Sequence, residues 1–328
     1  MARFCHDSWH VLRVAIVVGT DSVKGTARRV AACFHVTMSD DCMSKSSHCW
    51  SNGALWSDEV AWTDLIVPVR VDEGSTGLEL GDGWQDRWVV SWKAAKEGGK
   101  RGEREVRSRT VRQLAEVPMA GPGPVRTFSW GRNQGHRPGL QYMVSTGRHH
   151  GFESLEEARV LLGLDFAGDV VDVVSQPLGL QFGTAGGARE HVPDFLAVTR
   201  AGSWLIDVRP ERRIKDEDRQ SFAAAAEAAL ACGWAYVVVG RWREHVVPAV
   251  DAISSQRRPL RDPLGLQPVL LAAAAGGLTF GELAVSGPYE PVTRAQLLHL
   301  LWHRRLGVDL SRPLGDGSAV RLATGAVR

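Results

Sequence analysis

Between residues 150 and 250 the apolar residues change their period repeatedly, and that alternation limits most tightly what this chain can fold into. Glu153 to Asp165 (ESLEEARVLLGLD) carries Leu155, Val160, Leu161 and Leu164 at helical spacing. An apolar run at Val170 to Val174 follows, then a strand ending in Val192 to Val198, a turn at Arg200 to Ser203, and a second strand at Trp204 to Val208. The polar segment Arg212 to Arg219 leads into an Ala-rich helix, Ser221 to Ala231, which Gly233 breaks. Ala235 to Val239 (AYVVV) is too apolar for an exposed edge and belongs inside a sheet. The order helix, strand, strand, helix, strand predicts an α/β layout, a mixed sheet flanked by helices.

A chain of 328 residues exceeds one ordinary core, given about 100–200 residues per domain. Residues 1–68 show no sustained period, so a poorly structured extension is expected there. Residues 69–149 read as a basic arm: short strands at Val67 to Val71 and Arg87 to Trp92, a basic stretch of helical character, and a Pro/Gly linker at Pro118 to Pro124. Residues 150–255 form the α/β core. In 260–328, helices are expected at Pro268 to Ala275, Thr279 to Ala284 and Thr293 to Arg305, the last two capped by Thr279 and Thr293. With a hairpin of Val308 to Leu310 and Ala319 to Leu322, they suggest a small winged-helix-like domain.

Hydrophobic residues make up 44% and charged residues 23%, the balance of an ordinary globular protein rather than a disordered one. No apolar run approaches the roughly 18–20 residues of a membrane span. Val11 to Gly19 is short, contains Arg13 and lacks a cleavage site, so a cytoplasmic protein is expected. Four of the five cysteines (Cys5, Cys33, Cys42, Cys49) lie near His6, His35 and His48, yet no C-x2-C pair occurs, and bystander thiols fit better than zinc. Lys93 to His150 holds twelve Lys/Arg against four acids, an excess of eight that suits either a phosphate-binding surface or a solvated linker.

The chemistry-bearing residues are acids on adjacent elements. Asp194, in Pro193-Asp194-Phe195, opens one strand, and Asp207 lies near the end of the next, so a hairpin brings both to one sheet edge. Asp207 and Arg209, two apart, share a strand face. Glu153 and Glu157 stack one helical turn apart. Hard carboxylate oxygens of this kind suit Mg²⁺, which stabilises charge on a transferring phosphoryl group. Taken singly, each has an ordinary alternative: a turn at Pro-Asp, a surface ion pair at Asp-x-Arg, a solvated helix face at the glutamates.

The ordered conjunction resembles the TnsA-like heteromeric transposase endonuclease subunits, of the PD-(D/E)xK nuclease superfamily. The residues that carry the resemblance are Phe152 to Glu157, Leu164-Asp165-Phe166, Val170 to Val174 with Gln176-Pro177, His191 to Phe195, Asp207 to Pro210, Gly233-Trp234, Leu301-Trp302-His303 and Val308 to Leu314. The resemblance implies a restriction-endonuclease-like fold followed by a winged-helix domain. It also implies Mg²⁺-dependent cutting of the 5′ ends of a transposon, Mn²⁺ being able to substitute, beside a DDE-type transposase subunit and an ATPase regulator. Double-stranded DNA at the transposon ends would be the substrate. It carries the metal and catalytic roles onto Glu157, Asp194 and Asp207, with Glu153 as second choice on the helix and Arg209 at the lysine position.

Two departures stand out. Arg209 keeps the charge of the usual lysine but cannot act as a base, and Asp207 is shorter than Glu or Gln. Arg101, Arg104 and Arg107 in the basic arm, and Arg304 and Arg305 after the last helix, are the candidate DNA contacts. That helix, with Arg294, His299 and His303, serves equally well to dock a protein. Trp130, Trp204, Trp234 and Trp242 read as core. Two other readings stay open: a stand-alone restriction or repair nuclease, and a catalytically inactive DNA-binding scaffold.

Overall fold

The computed structural model describes residues 53–71, 77–98, 100, 103–114, 123–125 and 137–324. Strand β1 (Ile66–Val69) follows a 3-10 turn at Trp62–Leu65. A short helix α1 (Trp84–Arg87) leads to β2 (Val89–Ala95), β3 (Arg104–Thr110) and α2 (Val111–Leu114), and then to the hairpin β4 (Gly139–Met143) and β5 (Arg148–Phe152). Next come α3 (Leu155–Ala167), β6 (Val170–Ser175), β7 (Gly179–Thr184), β8 (Gly187–His191), β9 (Phe195–Thr199), β10 (Gly202–Val208), α4 (Asp216–Ala231) and β11 (Ala235–Trp242). The chain closes with α5 (Val246–Ser254), α6 (Leu266–Ala274), α7 (Phe280–Val285), α8 (Glu290–Trp302), β12 (Leu306–Val308) and β13 (Val320–Leu322).

A mixed α/β architecture results. The central sheet runs β1-β11-β10-β9-β6. Its β6/β9 and β9/β10 pairs are antiparallel, the second joined by a short turn and the first by way of β7 and β8, whereas β10 and β11 are parallel. Parallel neighbours need a crossover, and α4 supplies it. Strand alternation divides the sheet residues between two cores. Phe195, Ala197, Ile206, Val173, Val237 and Val239 pack with Val160, Leu161 and Leu164 of α3. Val174, Leu196 and Leu205 pack on the other side with Ala224, Ala225, Ala228 and Ala229 of α4. Alanines let α4 lie close to the sheet, and Gly233, at φ 70°, ends its run. As its apolar run requires, β11 lies inside the sheet, between β1 and β10.

A second sheet, β3-β2-β7-β8, covers the α4 side, contributing Trp88, Trp92, Leu180 and Phe182 to that core. The basic stretch read as helical is here β3: Arg104–Thr110 alternates and pairs antiparallel with all of β2. Its ladder with β2 overrides the helix propensity of its arginines. Strands β7 and β8, between Pro177 and Pro193, have no counterpart among the sequence-based expectations.

The boundary drawn at residue 68 falls inside the fold. Leu55, Val60, Trp62, Leu65 and Ile66 are buried, and Trp62 meets Trp204 edge-on at 5.3 Å, because this segment carries the apolar surface that the sheet and C-terminal helices need. Residues 1–52, with Cys5, Cys33, Cys42 and Cys49, lie outside the described residues, as do Arg101 and Trp130. Trp204, Trp234 and Trp242 pack against the cores, as expected.

The C-terminal part has three helices and an antiparallel β12/β13 pair. Its core is continuous with the rest: Phe166 of α3 and Val246, Val250 and Ile253 of α5 share one cluster with Leu270, Leu283, Leu297, Leu301 and Trp302. Thr279 caps α7 through a capping box with Glu282, as its sequence requires. Thr293 does not cap α8. That helix starts at Glu290 with a proline in its first turn, and Thr293 is buried inside it, its hydroxyl donating to the Tyr289 carbonyl at 3.0 Å. Among the described residues no helix is long and apolar enough to cross a membrane.

Candidate active site

Ser154 is the N-cap of α3, extended at φ −138° and ψ 160°. Its hydroxyl donates to Glu157 Oε1 at 2.8 Å, and the Glu153 N–H donates to Glu157 Oε2 at 2.8 Å. The Glu157 carboxylate is thus buried at the helix N-terminus, where backbone N–H groups and the helix dipole favour negative charge. Leu155, expected on the apolar face, is exposed; it opens the helix and points away from Val160 and Leu164.

Asp194 lies one residue before β9. Its backbone is fixed on both sides: its N–H donates to the Ile206 carbonyl at 3.1 Å, and its carbonyl accepts the Gln176 N–H at 2.7 Å. Its Oδ2 accepts the Val208 N–H at 2.7 Å. Burial pushes the Asp194 carboxyl well above the ordinary aspartate range, and the neighbouring charges of Asp207, Glu157 and Glu153 push it the same way, against the Val208 hydrogen bond. Asp207 at the end of β10, Glu157 in α3 and Glu153 just before it are therefore all close enough to act on Asp194.

Asp207, in β10, is 2% exposed. His191 Nε2 lies 3.0 Å from both of its carboxylate oxygens, and Tyr236 of β11 donates its hydroxyl to Oδ2 at 2.7 Å. Burial, then the Asp207 charge, hold the Tyr236 phenol well above its usual range, so it stays a donor. Arg209, just past β10, is partly exposed, and its Nη2 lies 3.3 Å from Asp218 Oδ2 in the first turn of α4. No group of three or more His, Cys, Asp or Glu side chains close enough to hold a cation together occurs among the described residues. The acids neighbour one another without sharing a common point.

The sequence matches no protein-family model and no curated protein.

By donor type the carboxylates of Asp194, Asp207 and Glu157 suit a hard divalent cation, although as placed they do not converge on one point, and Gln176 pairs with Asp194 through its backbone. Were such an ion bound, Asp194, Asp207 and Glu157 would be its carboxylate ligands, and Asp207 is held here by His191 and Tyr236. Sequence reasoning missed those two partners and Asp218. His191, two residues before Pro193, stood in the stretch that carried the resemblance, and only the fold shows it against Asp207.

The candidate DNA contacts differ. Arg107 pairs with Glu105 at 2.7 Å on the edge strand β3, and Arg104 is exposed on the same strand. Arg304 points into the protein: its guanidinium donates to the carbonyls of Asp58, Val60 and Ala167. Arg305 is exposed. Cys232 is partly buried, which pushes its thiol up to about 12 and leaves it unreactive.

Proposed function

We propose that this chain is a divalent-cation-dependent DNA endonuclease of the PD-(D/E)xK type, with a restriction-endonuclease-like core and a winged-helix-like C-terminal domain. In this reading it serves a heteromeric transposase by cutting the 5′ ends of the transposon beside a DDE-type subunit and an ATPase regulator. The observation that carries the reading is the charge conflict at Asp194. Asp207, Glu157 and Glu153 all raise its carboxyl in a partly buried place, and Arg209, at the position of the usual lysine, is turned to Asp218.

The succession α3, β6, β9, β10, α4, β11 supports it, because that order brings a helix glutamate, the Pro193-Asp194 step and Asp207 to one end of the sheet. Mg²⁺ or Mn²⁺ there would stabilise charge on a phosphodiester and lower the pKa of attacking water. The chain's own residues hold the acids in place: Ser154 orients Glu157, Val208 fixes Asp194, and Tyr236 with His191 fixes Asp207.

The reading of a catalytically inactive DNA-binding scaffold draws on the same distances. Asp207 already has three contacts from His191 and Tyr236, and Arg209 has an acid of its own. Plasmid nicking in Mg²⁺ or Mn²⁺, with and without the transposase subunit, separates the two. Nicking by wild type and not by Asp194→Ala is expected; equal nicking by both rejects the enzyme.

A further inference from the structure

Gln176 connects β6 to Pro177 and is held in an uncommon conformation. Its φ of 48° lies in the left-handed region, although a residue before proline is driven to extended backbone and a side chain disfavours positive φ. The neighbours over-determine this. The Gln176 N–H donates to the Asp194 carbonyl at 2.7 Å, and its carbonyl accepts the Val125 N–H at 2.9 Å. One step past the last β6/β9 pair, Ser175 opposite Phe195, the chain thus sets Gln176 directly across from Asp194.

The side chain is 1% exposed, and neither amide atom, Oε1 nor Nε2, has a hydrogen-bond partner among the described residues. The fold satisfies such a group elsewhere. Gln296, at 2% exposed, accepts from Gln267 and donates to the Arg261 carbonyl. An unpaired buried amide destabilises a fold, and strained backbone persists at ligand clamps. Both occur at the residue whose backbone pairs with Asp194, the acid that three neighbouring carboxylates push upward.

We propose that Gln176 is a ligand-binding residue of the Asp194 site, its amide kept unpaired for a cation-bound phosphodiester. Oε1 offers a hard oxygen to the cation, and Nε2 donates to a phosphate oxygen. This rests on the nuclease reading for its ligand class. A phosphate beside four acids needs an N–H donor, and the amide supplies one without a charge that would pair with those acids.

The test uses the full chain and two variants, Gln176→Met, of similar shape and apolar, and Gln176→Glu, which keeps an oxygen and loses the donor. Three quantities are read: the melting temperature without ligand, its gain on adding Mn²⁺, and affinity for a short DNA duplex in Ca²⁺. Gln176→Met is expected to melt higher than wild type, to lose most of the Mn²⁺ gain, and to bind DNA about tenfold more weakly. Gln176→Glu is expected to keep the Mn²⁺ gain and lose the DNA affinity. A Gln176→Met protein that melts lower, or that matches wild type in both ligand responses, overturns the proposal. If Gln176→Met fails to fold, a Gln176→Glu protein with unchanged DNA affinity overturns it alone. Wild type that responds to Mn²⁺ and DNA without nicking would remove the nuclease reading and leave the ligand role of Gln176; wild type that responds to neither overturns both.

Discussion

Tyr236 donates to Asp207 Oδ2 at 2.7 Å, from β11 to the neighbouring parallel strand β10. The acid at the end of β10 is thereby fixed by a residue that arrives only after the α4 crossover. Tyr236→Phe removes the donor and leaves a buried carboxylate with His191 alone. Losing one partner of a charged buried acceptor costs about 1–3 kcal/mol, or several degrees of melting temperature at roughly 2–4 °C per kcal/mol. Urea and thermal melts of Tyr236→Phe should show this loss, and an unchanged midpoint would show that the hydroxyl does not hold Asp207.

The raised carboxyl of Asp194 sets a pH dependence of definite sign. Its folded form holds the proton more firmly than the unfolded chain, whose aspartate titrates near 3.8. Stability therefore falls as pH climbs from that value through the raised one, and the penalty is complete above it. Asp194→Asn keeps an oxygen for the Val208 N–H and removes the charge. It should melt above wild type at neutral pH and converge with it below 3.8. Mn²⁺ should then stabilise wild type and leave Asp194→Asn nearly unmoved. A variant that melts lower at neutral pH would mean that Asp194 is ionised and compensated there.

Ser154 serves α3 twice, accepting the Glu157 N–H and donating to the Glu157 carboxylate. Ser154→Ala should cost about 0.5–2 kcal/mol as a lost cap. It should also loosen Glu157, so that nicking, where wild type shows it, declines by more than the stability loss explains. Comparing rates well below the melting midpoint checks this, and an unaltered rate would place Glu157 outside the site.

The central sheet was legible because its strands are long apolar runs with glycine or polar breaks: β10, α4 and β11 could be read from Trp204, the alanines of 223–229 and Val237 to Val239. Strands β7 (GLQFGT) and β8 (GAREH) were not, since glycine and charge dilute their alternation, and their places depend on non-local pairing of β7 with β2 and of β8 with β7. The acids stood out through Pro193-Asp194 and Asp207-x-Arg209, motifs of close spacing. Their partners did not: His191 and Tyr236 lie 16 and 29 residues from Asp207, and such contacts have no local pattern. Nor does spacing show that Arg209 turns to Asp218, which depends on where α4 begins.

Arg304 and Arg305, adjacent and alike in charge, should behave oppositely. Arg304, at φ 54°, spends its guanidinium on the carbonyls of Asp58 and Val60, both at 2.9 Å through Nη2, and on Ala167, which ties the Asp58–Val60 turn and the end of α3 to the segment after α8. Arg304→Ala leaves those partly buried carbonyls unpaired and should cost about 1–3 kcal/mol while DNA affinity per folded molecule stays constant. Arg305 is exposed, so Arg305→Ala should shift stability by no more than about 0.5 kcal/mol. Where the C-terminal helices touch DNA, that change should also reduce the slope of log affinity against log salt by about one phosphate contact. Salt titrations of the two variants against a short duplex decide it. An unaltered slope for Arg305→Ala would assign this end of the protein to a protein partner instead.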